Sequence, residues 1–547
     1  MPKVVFQIEG GKPVTVECNV GDNLLELARR SNVAIDAPCS GNGSCGKCRV
    51  KLVEGELESM PTRHISDDEY KEGWRLSCAS KVIADCTIFV PDIASAYQSR
   101  MKTADLSSPK EVAIFDECQE NLKHSGIHFK NACLAQVLTL AEPSLEDTMP
   151  DNERLTWAIE DALGVEHVRI PFPVMVKLAH TLRENNFRIC VKGEKKGDTF
   201  ECMEVCAPDD TNIIGCAIDI GTTTVTMVLT DLTSGKLLAK GSSGNGQIRY
   251  GADVINRIIE QGKPGGKKKL QDAILKETLV PILANLCKTA GINARSILRL
   301  CVGANTTMNH LFVGVDAQSV RMEPYVPSFF HWDGLLAGDL KLPANPLAPV
   351  LIAPNIGSYV GGDITAGTLA SGIWDKDEMS LFIDLGTNGE IVFGNRDFLM
   401  SCACSAGPAF EGGDISCGMR ATDGAMEAVT IDVDTMEPTA SIIGDAGQKC
   451  VGICGSGIID LISELYRCGI INAKGLFVRE GKRVKRDAHG MGRYVVAFPE
   501  ESETEREVSL NEVDIDNFIR AKGAIFSAID TLLKSVDMTV DMIDRVY

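Results

Sequence analysis

The residues best suited to chemistry are four cysteines near the N-terminus. Cys39, Cys45 and Cys48 share one glycine-rich loop, and Cys78 follows in the segment WRLSCAS. Four thiolates are the usual ligands of an iron–sulfur cluster, and glycines let such a loop fold tightly so that backbone N–H groups point at the cluster sulfurs. The alternative is structural zinc, which takes closely spaced cysteine pairs, whereas Cys78 has no second cysteine within a few residues. We therefore predict an iron–sulfur cluster on these four thiolates.

Residues 1–92 resemble the [2Fe–2S] ferredoxins, in which three cysteines of one loop and a distant fourth hold the cluster. The five residues between Cys39 and Cys45 make the loop more similar to the adrenodoxin branch than to the plant branch. The resemblance implies a β-grasp fold for this region and a [2Fe–2S] cluster as its cofactor.

The elements around the cysteine loop agree with a small domain of this kind. The alternating runs Val4–Glu9 and Pro13–Cys18 predict a hairpin. Leucines and an alanine at helical spacing predict a helix over Leu24–Arg30. The segment TIFVP predicts a closing strand, and Cys86 just before it is expected to be a buried core residue rather than a ligand.

Two turns of unusual composition form the second set of candidate residues. Their members are Asp219, Gly221, Thr222, Thr223 and Thr224 in the first, and Asp384, Gly386, Thr387, Asn388 and Glu390 in the second. Each turn follows an apolar strand that ends in aspartate. Glycine lets the backbone approach an anion, backbone N–H and threonine hydroxyl groups bind phosphate oxygens, and an aspartate holds Mg²⁺ through water. An ordinary hairpin explains one such turn, but the repeat indicates two related halves.

The paired turns resemble the phosphate motifs of the ASKHA superfamily, which includes sugar kinases, chaperone ATPases and actin. We therefore predict Mg-ATP binding, with Asp219 and Asp384 as catalytic carboxylates. Further glycine-rich turns place Asp363 and Glu411 as second carboxylates for metal or water, although a purely structural turn is an equal alternative for each.

Bulk composition limits the partners. The formal net charge is −20 at pH 7, which argues against nucleic acid and anionic membranes because both select basic surfaces. No apolar stretch is long enough to span a bilayer, and the N-terminus does not read as a secretory signal. The chain has 20 cysteines, which without an export signal are not expected to form disulfides. We expect a cytoplasmic protein.

The fold class predicted from these patterns is multidomain α/β and α+β. Residues 1–92 are the β-grasp ferredoxin domain, and 93–110, which are polar and without periodicity, are a linker. Residues 111–210 alternate short strands and helices and predict a small α/β domain. Residues 211–547 are the two-lobed ASKHA domain, of the actin and sugar-kinase type.

As a whole the chain resembles the ASKHA-type ferredoxin proteins that reductively activate corrinoid-dependent enzymes, in the variant with an N-terminal [2Fe–2S] domain. The segments that carry the resemblance are DIGTTT, NGQIRYGADVINRI, GANTTMNHLF, DLGTNGE, SAGPAFEGGDISCGMRA, GICGSGIID and RAKGAI. The resemblance implies an ATPase that drives a low-potential electron from its cluster onto the cob(II)amide of a corrinoid methyl-transfer protein. It also implies a low-potential electron donor, and a homodimer is a further assembly to test.

One feature departs from the superfamily. Its members carry a late Gly-Gly turn that packs on adenosine after a strand near the C-terminus, and the chain ends at Tyr547, where that strand is expected to begin. We therefore expect a sequence truncated at its C-terminus and a weakened affinity for nucleotide.

Two other functions fit the same residues. One is an electron carrier whose nucleotide domain only regulates docking, and the other is a kinase-like phosphotransferase with a redox-sensing domain. Activators of 2-hydroxyacyl-CoA dehydratases lack a ferredoxin domain, so residues 1–92 argue against them. The sequence does not identify the corrinoid partner, the electron donor, the oligomeric state or the role of the middle domain.

Overall fold

The computed structural model describes most of the chain. The described residues are 2–9, 13–31, 33, 35, 46, 48–62, 64–91, 102–104, 109–127, 131–251, 253–419, 421, 423–444, 447–487 and 490–547. Two compact units contain residues 1–100, 247–260 and 376–547 in one case, and 101–246 and 261–375 in the other. No helix within the described ranges has the length and apolar character needed to cross a membrane.

The N-terminal region contains a five-stranded mixed sheet, and a helix packs near the turn that connects the last two strands of the sheet in chain order. Its elements are β1 (Lys3–Ile8), β2 (Val14–Glu17), α1 (Leu24–Arg30), β3 (Arg49–Ser59), α2 (Asp67–Lys71), β4 (Trp74–Leu76) and β5 (Ser80–Val90). The strand order is β2-β1-β5-β3-β4, with β1 and β5 parallel. Asn23 caps α1 because its side chain accepts hydrogen bonds from the N–H groups of Leu25 and Glu26. The predicted hairpin, helix and closing strand of the β-grasp fold are all present.

Within the segment 93–110, which was predicted to be a linker, the structure contains a short strand and the start of a helix. Residues 92–101 and 105–108 lie outside the described residues, but Lys102–Ala104 forms strand β6, and helix α3 begins at Pro109 and ends at His124. In this helix the Cys118 thiol donates to the carbonyl of Ala370, 3.6 Å away. Hydrogen bonds to a neighbouring sheet and helix therefore order a segment whose own sequence has no periodicity.

Strands and helices alternate next, between residues 133 and 206; the domain bounds 111–210 stay a prediction. These elements are β7 (Cys133–Thr139), α4 (Asp151–Leu163), β8 (His167–Arg169), α5 (Phe172–Glu184), β9 (Arg188–Lys196) and β10 (Thr199–Cys206). The strand order is β7-β9-β10-β8. Leu155, Ile159, Leu178 and Leu182 from the two helices join the buried core over this sheet.

The sheet that carries the first candidate turn has six strands. Its new elements are β11 (Ile214–Ile220), β12 (Thr224–Asp231), β13 (Leu237–Gly244), α6 (Val254–Gln261), α7 (Gly266–Ile274), α8 (Val280–Ala290), β14 (Ile297–Ala304), α9 (Thr306–Val313), β15 (Val350–Ile352) and α10 (Gly362–Ser371). The strand order is β15-β14-β11-β12-β13-β6. Strand β6 therefore forms the edge of this sheet, paired antiparallel with β13.

The second candidate turn belongs to a four-stranded sheet. The remaining elements are β16 (Ser380–Leu385), β17 (Gly389–Gly394), β18 (Leu399–Cys404), β19 (Ala425–Ile431), β20 (Pro438–Ile442), β21 (Gly452–Ile453), α11 (Gly455–Arg467), β22 (Val484–Arg486), β23 (Gly492–Ala497), β24 (Val508–Asn511), α12 (Glu512–Lys534) and β25 (Arg545–Val546). The order β18-β17-β16-β25 repeats β13-β12-β11-β14, because β25 pairs parallel with β16 as β14 does with β11. The two halves predicted from the repeated turn are therefore alike in strand order and direction.

A buried ionic cluster joins the small α/β domain to the six-stranded sheet. The side chain of Lys192 in β9 is completely buried. Its ammonium lies 2.6 Å from Asp210 Oδ1 and 2.7 Å from the hydroxyl of Ser296, which precedes β14. Ser296 in turn donates to Asp210 at 3.0 Å. A buried lysine is tolerated only when it is paired, so this cluster fixes the two regions against each other.

Candidate functional site

Two of the four predicted cluster ligands lie side by side. Cys48 directly precedes β3, Cys78 lies in the short turn between β4 and β5, and their sulfurs are 3.1 Å apart. This separation exceeds the S–S bond of about 2.05 Å, so the two sulfurs are in contact without a disulfide between them. Cys39 and Cys45 lie outside the described residues, so their part in the site stays a prediction.

Main-chain hydrogen bonds hold the two described ligands in place. The N–H of Ser77 donates to the carbonyl of Cys48 at 2.8 Å, and the Asn23 side-chain amide donates to the carbonyl of Cys78 at 2.8 Å. Since Asn23 also caps α1, one side chain links the helix to the ligand turn. The sequence brings the two cysteines together only through this fold, because 30 positions separate them.

The surroundings of the thiols fit a [2Fe–2S] cluster. Gly46 has φ of +67°, and a Cβ there would come within 2.5 Å of the ring of His64, so only glycine suits this point of the loop. The hydroxyl of Ser77 is buried and has no hydrogen-bond partner among the described residues. A polar atom left without a partner beside two ligand positions agrees with a sulfur-rich group that would accept its hydrogen bond.

The first phosphate-type turn connects β11 and β12. Asp219 is the next-to-last residue of β11 and is exposed to solvent. A Cβ on Gly221 would lie 2.7 Å from the carbonyl oxygen of Thr224, so the tight turn requires glycine there. Thr222, in the middle of the turn, is largely buried. The threonine-rich backbone therefore follows directly on a carboxylate at the end of a sheet strand.

Asn245, which sequence reasoning did not single out, holds this turn. Its side-chain amide donates to the carbonyl of Gly221 at 2.9 Å, and its backbone N–H donates to the carbonyl of Thr223 at 2.9 Å. Asn245 is almost completely buried. It directly follows β13 within the segment NGQIRYGAD, which was noted only as a whole motif. Its place beside the turn depends on the pairing of β12 with β13.

Asp363 lies at the same sheet edge as Asp219. In the parallel pairing of β11 with β14, Asp219 is opposite Gly303, and a Cβ on Gly303 would be 3.8 Å from the Cα of Asp363. Asp363 stands in the first turn of α10, whose preceding Gly361 packs so closely on Asn305 that a Cβ would come within 2.3 Å of its Cα. Two carboxylates near one strand end are ligands of the kind Mg²⁺ prefers.

The second turn, between β16 and β17, gathers three carboxylates. Asp384 is paired with Glu390 across the two strands, and Glu390 is largely buried. Burial, and next the charge of Glu411, raise the pKa of Asp384 above its ordinary value. The hydroxyl of Thr387 donates a hydrogen bond to the Glu411 carboxylate. The turn is therefore an acidic site that a cation would relieve.

The structure brings two groups of predicted residues together. The first group is Asp219, Gly221 and Asp363, and the second is Asp384, Thr387, Glu390 and Glu411. The two groups belong to different units of the chain. The N–H of Gly386 and the carbonyl of Asn388 close the second turn at 3.0 Å. Among the described residues, no three or more His, Cys, Asp and Glu side chains converge closely enough to hold a metal ion. Mg²⁺ usually keeps several waters and takes only one or two carboxylates, which suits either group.

Four family profiles match consecutive stretches of the chain. They are a 2Fe-2S iron-sulfur cluster binding domain over residues 7–82, the RACo linker region over 123–211, the RACo middle region over 214–376, and the C-terminal ASKHA domain of RACo over 378–547. The start of the linker profile agrees with the structure in excluding most of α3 from the small α/β domain.

Individual proteins are similar to the whole chain or to parts of it. A solved structure, a reductive activator for a corrinoid, iron-sulfur protein, is 35% identical with a TM-score of 0.67; the match covers 100% of this chain and 85% of that one. The corrinoid activation enzyme RamQ of Eubacterium limosum is 36% identical over 324 residues, or 58% of this chain, which spans only about half (54%) of RamQ. One component of the Na⁺-translocating NADH-quinone reductase of Pseudomonas aeruginosa strain UCBPP-PA14 is 40% identical over 91 residues, which are 16% of this chain and 22% of that component.

Proposed function

The chain belongs to the RACo family of reductive activators, and we propose that it is an ATP-dependent enzyme that reduces the cob(II)amide of a corrinoid methyl-transfer protein to cob(I)amide. A [2Fe–2S] cluster held by Cys39, Cys45, Cys48 and Cys78 would supply the electron, and a separate low-potential donor would supply electrons to the cluster. The partner, this donor, a homodimer and a cytoplasmic location rest on resemblance and composition, and they remain predictions.

The single observation that carries the proposal is the combination of two kinds of site in one chain. Cys48 and Cys78 present adjacent thiols in a ferredoxin-type sheet. Asp219 and Asp384 end matching strands of two related sheets, each before a glycine–threonine turn. A plain ferredoxin needs only the first site, and a phosphotransferase needs only the second. An electron transfer driven by nucleotide needs both.

The thermodynamics explain why the two sites belong together. Plant-type ferredoxin clusters have reduction potentials of about −400 mV. The cob(II)amide/cob(I)amide couple is expected to have a lower potential. Each 100 mV uphill costs about 2.3 kcal/mol per electron. Nucleotide binding can supply this only if the protein has different affinities for two states of the partner. The proposal therefore requires that ATP change how tightly the activator holds the cob(II)amide protein.

Within the proposal, the chain's own residues have distinct roles. The cluster supplies one-electron redox chemistry when it is bound by Cys39, Cys45, Cys48 and Cys78. Asp219 and Asp363 would orient hydrated Mg²⁺ at one strand end, while Asn245 keeps the adjoining turn in shape for phosphate. At the other turn, Asp384 and Glu411 would bind Mg²⁺ or accept a proton from water, and Thr387 orients Glu411 through its hydroxyl.

The test uses the full chain, a corrinoid methyl-transfer protein, a chemical reductant and Mg-ATP, with cob(I)amide absorbance as the readout. We expect cob(I)amide only when both ATP and the cluster are present, so Cys45→Ser and Asp384→Asn each abolish its formation and Cys86→Ser does not. Equal rates with and without ATP would contradict the coupling and favour an electron carrier with a regulatory nucleotide domain. ATP consumption by a small-molecule acceptor without electron transfer would favour a phosphotransferase.

A further inference from the structure

Ser77 occupies an unusual position beside the cluster ligands. It is completely buried in the turn Ser77–Ala79 between β4 and β5, next to Cys78 along the chain. Its backbone N–H donates a hydrogen bond to the carbonyl of Cys48 at 2.8 Å. Its hydroxyl, however, has no hydrogen-bond partner in the part of the chain that the structure describes. A buried hydroxyl without a partner is costly and is rarely retained without a reason.

The neighbouring polar groups make their hydrogen bonds to other partners. The Asn23 side chain donates to the carbonyl of Cys78 and accepts from the first turn of α1. Ser80, which is equally buried, donates to the carbonyl of Leu76 at 2.8 Å and lies 2.9 Å from the hydroxyl of Ser59. Of two serines in the same short segment, one is satisfied by the protein and the other is not.

We propose that the Ser77 hydroxyl donates a hydrogen bond to an inorganic sulfide of the [2Fe–2S] cluster, and that this bond raises the reduction potential. A hydrogen bond to sulfur strengthens as the sulfur gains negative charge, so it stabilises the reduced cluster more than the oxidised one. The proton stays on the serine oxygen, and the only change is the arrival of one electron. The proposal rests on the ferredoxin domain and not on the corrinoid partner, so it can fail or hold independently of the proposed function.

The experiment is a potentiometric titration of the full-length holoprotein, followed by visible absorbance and by EPR of the reduced state. We expect Ser77→Ala to lower the equilibrium constant for one-electron reduction about tenfold, which corresponds to a potential about 59 mV lower. Ser77→Thr keeps a hydroxyl and should therefore have a reduction potential close to that of the wild type. Ser80→Ala removes an equally buried hydroxyl that has protein partners, and should change the constant less than twofold.

An unchanged potential in Ser77→Ala with the cluster intact would overturn the proposal, as would an equal shift in Ser80→Ala. If Ser77→Ala does not retain its cluster, the wild-type protein still gives an answer. Electron–nuclear double resonance of the reduced cluster in H₂O and D₂O, compared between wild type and Ser77→Val, should show in the wild type a strongly coupled exchangeable proton that the variant lacks. The same proton spectrum in both proteins would also refute the assignment.

Discussion

Replacing Asp384 by asparagine should stabilise the nucleotide-free protein while impairing its function. Burial and the neighbouring charge of Glu411 raise the pKa of Asp384, which means that the folded state disfavours the ionised carboxylate. In the unfolded chain the same group ionises near its ordinary value of about 3.9. At neutral pH the ionised Asp384 carboxylate therefore has a higher free energy in the folded protein than in the unfolded chain, which destabilises the fold. Asparagine carries no charge and removes this destabilisation.

The sign of the effect follows from linkage. The penalty is absent below the ordinary pKa, develops as the pH rises from that value to the raised pKa, and is constant above it. Removing an unfavourable charge commonly adds about 0.5–2 kcal/mol to the free energy of unfolding, and we expect a gain on the order of 1 kcal/mol at pH 8. For a domain of about 150–250 residues, such a gain raises Tm by about 2–4 °C.

The assay is differential scanning calorimetry from pH 8 down to about pH 4, where the carboxyl approaches its ordinary pKa, with Asp397→Asn as the control, since Asp397 is exposed at the opposite end of the β17–β18 hairpin. The stability difference between Asp384→Asn and wild type should shrink as the pH falls. Mg-ATP should raise the Tm of wild type more than that of the variant, because bound cation relieves the carboxylates. A variant less stable than wild type at pH 8 without nucleotide, or an equal gain in Asp397→Asn, would refute the reasoning.

Three further predictions concern the other parts of the chain. Cys45→Ser should abolish most of the visible [2Fe–2S] absorption and Cys86→Ser should not; equal loss in both would place the ligands elsewhere. Asn245→Ala should lower kcat/KM for Mg-ATP hydrolysis about fivefold, because one hydrogen bond to the phosphate-type turn is worth about 1 kcal/mol, and an unchanged rate would contradict a role for Asn245 in the site. Lys192→Met should leave Asp210 with the Ser296 hydroxyl but without its cationic partner. We expect this to lower the free energy of unfolding by about 2–3 kcal/mol, less than for a fully buried partner, and so to lower the urea midpoint; an unchanged midpoint would contradict a stabilising role for the cluster.

The elements were predictable where local signals suffice. Alternating side chains and a capping asparagine define β1, β2 and α1, and the predicted helix Leu24–Arg30 has the bounds of α1. The strand Lys102–Ala104 was not predictable, because three residues carry no periodicity and their order comes from pairing with β13.

Some residues of the candidate sites were likewise predictable from local sequence signals, and others were not. Asp219 and Asp384 could be found because glycine–threonine turns after apolar strands are unusual in composition. Ser77 and Asn245 could not, since a serine or an asparagine in a polar loop is common. Only burial and the direction of a hydrogen bond, both consequences of the finished fold, distinguish them from their neighbours.

The position of β6 has a practical consequence for how the protein can be divided. Strand β13 is eight residues long, and β6 covers part of its outer edge by pairing with Ser242, Gly241 and Lys240. A fragment begun at residue 111, the predicted domain boundary, would lack β6 and leave those backbone groups open. Such unpaired edges recruit strands from other molecules, so this fragment should aggregate, whereas one that retains residues 102–104 keeps its edge closed.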